Sequence, residues 1–288
     1  MEILRRKLQE EAKNNHSRLD IIQQDYLLTW ILKSLSQNEI LRNNLVFKGG
    51  TALKKCYFGK YRFSEDLDFT AKENAPKGKI LETAVSQICK HVEESMGQYG
   101  IVNVFSKVYR EKQRHPHGQE AFTIYAQFPW QKQPLTRVMI EVTYSEELLL
   151  LPIERDLIHP YGNELNASIL TYSLDEIILE KLRAILQQTK KLHKRTWSRS
   201  RARDYYDLWH ILCISKYSPD INSFQDLLIK KCHSKDVHFS APEDFFSPIL
   251  ITNVTNTWEQ WVGSLIHNLT PVDQVILELR EAINNLFS

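Results

Sequence analysis

Two short runs carry residue types that could do chemistry together: Lys48-Gly49-Gly50-Thr51-Ala52-Leu53 and, a little further on, Ser64-Glu65-Asp66-Leu67-Asp68-Phe69. Adjacent glycines let a backbone turn approach a polyphosphate with no Cβ in the way. Asp66 and Asp68 are spaced i, i+2, which on a strand points both carboxylates to one face. Aspartates in a D-x-D run are also common turn formers in polar loops. Here Leu67 and Phe69 alternate with them, the pattern of a half-buried strand with its polar side toward a cleft. Such a pair suits one or two Mg²⁺ ions that clamp a triphosphate and activate an attacking hydroxyl, the requirement of nucleotidyl transfer. Gly49, Gly50 and Thr51 then read as the triphosphate-binding turn rather than a bare strand-to-helix bend. Ser64 either bonds a phosphate or caps the turn.

Other candidates lie further along the chain. In Arg137-Val138-Met139-Ile140-Glu141-Val142-Thr143-Tyr144, Val138, Ile140 and Val142 share one strand face and Glu141 lies on the other. That places Glu141 either as a third metal carboxylate or as an ordinary surface glutamate. Lys181 falls inside the apolar stripe Leu174, Ile177, Ile178, Leu182 and Ile185 of a helix. Lysines are rarely buried unpaired, so it either snorkels outward or reaches a phosphate or carboxylate. The run Arg203-Asp204-Tyr205-Tyr206-Asp207-Leu208-Trp209 is apolar nearly all round. Asp204 and Asp207 on an enclosed helix need cationic partners, with Lys181, Arg201 and Arg203 as candidates. From Lys181 to Arg203 there are nine Lys or Arg residues and no Asp or Glu, with His193 and Trp197 interleaved. This run is either a solvated loop, a nucleic-acid contact or a seat for an acidic protein. His115 and His117 are too isolated to read as metal ligands.

The elements that must position these groups follow from periodicity. Helices are expected at Leu19 to Leu35, at Thr51 to Tyr57 and at Ile80 to Met96. Short strands are expected at Leu45 to Phe47 and Leu67 to Thr70. Longer strands are expected at Ile101 to Tyr109, Ala121 to Phe128 and Arg137 to Tyr144, with a polar loop over Glu111 to Gln119. From Ser173 onward the pattern is helical, opened by a capping box of Ser173 and Glu176. The chain therefore divides near residue 165 into a mixed α/β lobe, 1–165, and a helical lobe, 166–288. With 288 residues, 42% of them apolar and 25% charged, it can build a sizeable core and is not globally disordered. Cys56, Cys89, Cys213 and Cys232 form no C-x-x-C pair, which argues against a disulfide framework or zinc site. Arg5, Arg6 and Lys7 are followed by no apolar secretion core, and no run approaches a membrane span. A cytosolic protein with reduced thiols is expected.

At Lys48-Gly49-Gly50-Thr51-Ala52-Leu53, Arg62-Phe63-Ser64-Glu65-Asp66-Leu67-Asp68-Phe69, Glu180-Lys181 and Arg203-Asp204-Tyr205-Tyr206-Asp207-Leu208 the chain resembles the AbiEii-type nucleotidyltransferase toxins of type IV toxin–antitoxin and abortive-infection systems. The resemblance covers about residues 20 to 215. It implies a polymerase-β-like nucleotidyltransferase lobe of α/β (α+β) class, with a mixed sheet, joined to a helical lobe that completes the active site. It implies Mg²⁺-dependent transfer from a nucleoside triphosphate, with metal at Asp66 and Asp68. It assigns the late lysine to Lys181 and the late catalytic aspartate to Asp204, with Asp207 as the alternative. It also implies a cognate antitoxin partner and an acceptor that in some members is the tRNA 3′ end. The same cradle would serve a kinase-like phosphotransferase acting on a protein partner, or a non-catalytic GTP-binding toxin. A metal-dependent nuclease fits less well, because Thr143 stands where that chemistry would want a lysine.

Overall fold

A computed structural model of the chain describes residues 2–109, 118–162, 165–194, 200–219 and 224–287. The expected histidine pair, His115 and His117, and the basic-run residues Arg195, Trp197 and Arg199 lie outside the described residues. The chain forms two compact units, the first from Met1–Glu146 with Pro152–Tyr172, the second from Glu147–Leu151 with Ser173–Ser288. The boundary expected near residue 165 falls inside the first unit.

In the first unit, helices α1 (Glu2–Asn14), α2 (Leu19–Gln37) and α3 (Glu39–Asn44) lead into strand β1 (Leu45–Lys48). Asn38 separates α2 from α3 and its side chain accepts a 3.1 Å hydrogen bond from the Leu41 amide, capping the shorter helix. One helical turn, α4 (Gly49–Ala52), runs into a widened π-type segment, Leu53–Phe58, before strand β2 (Asp66–Ala71). Then come α5 (Lys79–Gly97), β3 (Val102–Tyr109), β4 (Gln119–Gln127), β5 (Thr136–Thr143), β6 (Ile153–Asp156) and β7 (Ser168–Thr171). Among the described residues these strands make one seven-stranded sheet in the order β3-β4-β5-β2-β1-β7-β6. The β2–β5 and β1–β7 pairs are parallel and the rest antiparallel.

The sheet has two chemically different faces because its strands alternate. Phe47, Leu67, Phe69, Phe122, Ile124, Val138, Ile140 and Val142 point one way and are at most 1% exposed. Burying each such side chain stabilises by about 1.5–3 kcal/mol, which fixes the register. Helices α2 and α5 pack on each other and on β5 and β3, bringing Ile22, Tyr26, Leu81, Val85, Ile88 and Val92 into the core. On the opposite face, Asp66, Asp68 and Glu141 are only half-buried.

The second unit is helical: α6 (Leu174–Lys194), α7 (Ala202–Trp209), α8 (Phe224–His233), α9 (Pro248–Trp261) and α10 (Val272–Leu286). Ser173 caps α6 by accepting from the Glu176 amide at 3.2 Å. The expected reciprocal half of that box is replaced. The Glu176 carboxylate, fully buried, accepts instead from the Leu149 and Leu150 amides and from Lys231 Nζ at 2.5 Å. Two otherwise orphaned main-chain donors are a stronger demand on a buried carboxylate than a helix end is. No described helix is long and apolar enough to cross a membrane.

Candidate active site

In the first unit, a candidate binding turn forms where β1 hands over to α4. Gly49 has φ +82°, a left-handed conformation that glycine adopts without strain. A Cβ at Gly49 would lie 2.5 Å from Asp68 Oδ2, and one at Gly50 would collide with the Arg62 guanidinium. Gly49 is therefore favoured by its φ as well as by the nearness of Asp68, and Gly50 by the Arg62 guanidinium against it. Thr51 is fully buried and its hydroxyl donates to the main-chain carbonyl of Asp66 at 2.5 Å. That bond ties the glycine turn to the start of β2. Ser64 is half-buried in the stretch just ahead of β2.

Asp66 and Asp68 lie on the same face of β2. Register puts Lys48 of β1 opposite Asp68 on one side and Glu141 of β5 opposite it on the other. Glu141 accepts a short hydrogen bond from the Gln119 side-chain amide. Among the described residues no three His, Cys, Asp or Glu side chains gather into a metal cage. Glu141 thus stands beside Asp68 along the sheet without completing a three-carboxylate set. The two aspartates alone offer hard oxygen donors, the type that suits Mg²⁺ when phosphates and water supply its other ligands. The Cβ-less approach of Gly49 to Asp68 leaves the backbone close to that donor pair, so the residues present fit such an ion.

The second unit holds a buried charge cluster of its own. Lys181, on α6 and 7% exposed, donates from Nζ to Asp204 Oδ1 at 2.9 Å and to Asp207 Oδ2 at 2.6 Å. Arg201 Nη1 reaches the other Asp204 oxygen at 3.2 Å. Arg203, the third candidate cation, donates from Nε to the Trp261 carbonyl at 3.1 Å. Two cations thus face two carboxylates, which is what enclosure of those charges requires. Burial by itself pushes the Asp204 carboxyl up, but Lys181 and Arg201 outweigh it and hold it below the ordinary carboxylate range. In the basic run, Lys190 bridges to Asp236, and Arg201 is occupied with Asp204.

Two positioning features were not anticipated. Asp25, on α2, pairs with Lys55 Nζ at 2.6 Å and accepts from the Tyr161 hydroxyl at 2.6 Å, with both charged side chains 1% exposed. Lys55 sits in the π-type segment directly after the glycine turn, so this pair anchors that turn to the core. Its signal was present in the sequence, since Asp25 lies in the Ile22–Tyr26–Thr29 stripe of an apolar helix, as Lys181 does in its own. Arg62 is the second. It is 3% exposed and lies against Gly50, and nothing in its spacing predicts that contact.

Comparison with known proteins follows the same residues. No curated protein matches the chain significantly. The family model described as nucleotidyl transferase AbiEii toxin, type IV TA system, matches residues 30–282, which include the glycine turn, the aspartate pair and the Lys181 cluster. The chain belongs to this family of type IV toxin–antitoxin nucleotidyltransferases.

Proposed function

We propose that the protein transfers a nucleotide from an NTP, with Mg²⁺, onto the 3′ end of an RNA acceptor of the tRNA class, and that a cognate antitoxin restrains it. The observation that carries this reading is the contact of the glycine turn with Asp68. It supports a triphosphate seat and a metal seat set side by side on the adjacent strands β1 and β2.

Asp66 and Asp68 would hold the ion, which supplies charge neutralisation for the triphosphate and lowers the pKa of the attacking hydroxyl. The N–H groups of Gly49, Gly50 and Thr51 face the phosphates. Thr51 acts through its amide, because its hydroxyl is spent on Asp66. Ser64 supplies a further hydroxyl donor, and Glu141 supports Asp68 from the adjacent strand. Lys181 meets negative charge as pyrophosphate leaves. Asp204 stays ionised through the working range because Lys181 and Arg201 hold its carboxyl down. A carboxylate so stabilised is a weak base, so it orients the acceptor hydroxyl by accepting its hydrogen bond more than it removes the proton. Asp207 keeps Lys181 in place. Positioning and electrostatics then supply most of the acceleration.

The test is to incubate purified protein with total RNA, Mg²⁺ and each NTP labelled at either the α or the γ phosphate. Label from the α position in RNA supports the reading. Label from the γ position in an acceptor makes the protein a phosphotransferase and overturns it.

A further inference from the structure

The sheet face that carries Asp66 and Asp68 continues across three more strands, and its residues there are not those of an ordinary solvated face. Ladder partners line up into rows. One row runs Asp68, Glu141, Ala121, Tyr109, the next Asp66, Met139, Thr123, Lys107, and the third Arg137, Tyr125, Phe105. Phe105 and Tyr125 stack with ring centroids 5.2 Å apart and planes 17° apart. Lys107 Nζ stands 5.6 Å and 5.4 Å from those two ring centroids. Arg137, Lys107 and Tyr109 are exposed, and Phe105 and Tyr125 half-buried. On the opposite face of the same strands, Phe122, Ile124, Val138, Ile140 and Val142 are buried.

We propose that this aromatic and cationic face of β5, β4 and β3 is the platform on which the single-stranded end of the RNA acceptor stacks. The proposal rests on the RNA-acceptor reading above. Stacked rings give bases a sequence-tolerant π surface, and flanking cations meet the backbone phosphates. Charge is sorted along the rows: carboxylates at the β2 end, where an ion would gather the reacting groups, and Lys107 and Arg137 on the strands beyond. Counting steps of about 4.8 Å across the sheet, Tyr125 lies two strands and Phe105 three strands from β2, about 10 and 15 Å, a span a short single strand crosses. Continuity with the carboxylate face and this polarity favour a nucleic acid over a protein partner, which would have to match aromatic, cationic and acidic groups within one narrow strip.

The test is fluorescence anisotropy of a short labelled single-stranded RNA with the full chain, without NTP. In the double variant Phe105→Ala, Tyr125→Ala, affinity is expected to fall on the order of tenfold or more, the loss of one stacked base. Tyr125→Trp keeps a ring and should keep the affinity. Lys107→Ala should lower the salt dependence by about 0.7 in log–log slope, one phosphate contact. Thermal melts and NTP affinity should match the parent protein in every variant. Unchanged RNA affinity in the double variant with an unchanged salt slope in Lys107→Ala overturns the platform, as does loss of antitoxin binding with RNA binding intact. The two readings fail separately. A parent protein that binds RNA here but transfers no label sinks the transferase reading alone, and a double variant that labels RNA at unchanged KM sinks the platform alone.

Discussion

Replacing Lys181 by methionine removes the cation shared by Asp204 and Asp207 while keeping a long flexible side chain at the same place in α6. Asp204 retains Arg201 at 3.2 Å, and the Asp207 side chain, 0% exposed, loses its 2.6 Å contact with Lys181. Breaking a buried pair by deleting one partner costs about 3–5 kcal/mol, and the surviving Arg201 contact puts this variant near the lower end. Adding Asp207→Asn removes the second buried carboxylate charge and should return about 1–2 kcal/mol, a coupling of the size contacting charges show. Urea unfolding of the parent, both single variants and the double, followed by far-UV circular dichroism and tryptophan fluorescence, gives the cycle. A Lys181→Met protein within about 0.5 kcal/mol of the parent, or a double variant no more stable than Lys181→Met, refutes the buried cluster as described. The same cycle separates structure from catalysis, because a double variant that regains stability without activity places the Lys181–Asp207 pair in the reaction itself.

Gly49→Ala should fail for two reasons, a left-handed φ costing about 1–2 kcal/mol for a side chain and a Cβ driven into Asp68. A transfer rate lowered at least about tenfold, alongside a lower melting temperature, is the expected pair of readings. Asp25→Ala leaves Lys55 buried without its carboxylate and should cost about 3–5 kcal/mol, read as a shift in urea midpoint. His159 has both ring nitrogens buried and unpartnered, and burial, with Lys55 adding to it, pushes its pKa from 6.5 down to about 4. The unfolded chain then binds the extra proton first, so this group's contribution is complete above pH 6.5 and is lost as pH falls toward about 4. His159→Phe should flatten the stability profile in that window. Asp204 behaves differently: its folded pKa lies below 3.8, so its contribution holds above that pH and is lost only as pH falls further, through the folded value.

Much of the site was legible because its chemistry sits on regular elements. Asp66 and Asp68 alternate with Leu67 and Phe69, so period two alone predicts which side the carboxylates take. Lys181 was conspicuous because a charge inside an apolar stripe demands a partner, and the structure supplies two. Strands β4 and β5 alternate cleanly and appear where periodicity puts them. Strand β6, Ile-Glu-Arg-Asp, is exposed throughout, and β7 is four residues long, so neither carries a periodic signal. Their pairing with the sheet is a tertiary fact that placed the lobe change earlier than the compact units do. Helix α1 buries only Leu4 and Leu8 within a charged sequence, too weak a stripe to stand out. Arg62 against Gly50 and Glu176 beneath the Leu149 and Leu150 amides depend on loop paths that local spacing does not encode.

The site's central claim is that Asp66 and Asp68, set beside the glycine turn, hold the ion that activates an NTP for attack by RNA. The direct measurement is transfer of α-phosphate label to RNA by the parent protein and by Asp66→Ala and Asp68→Ala, each first shown to melt as the parent does. The account predicts Mg²⁺-dependent labelling by the parent and loss of it in both variants. Undiminished labelling by either folded variant would contradict it.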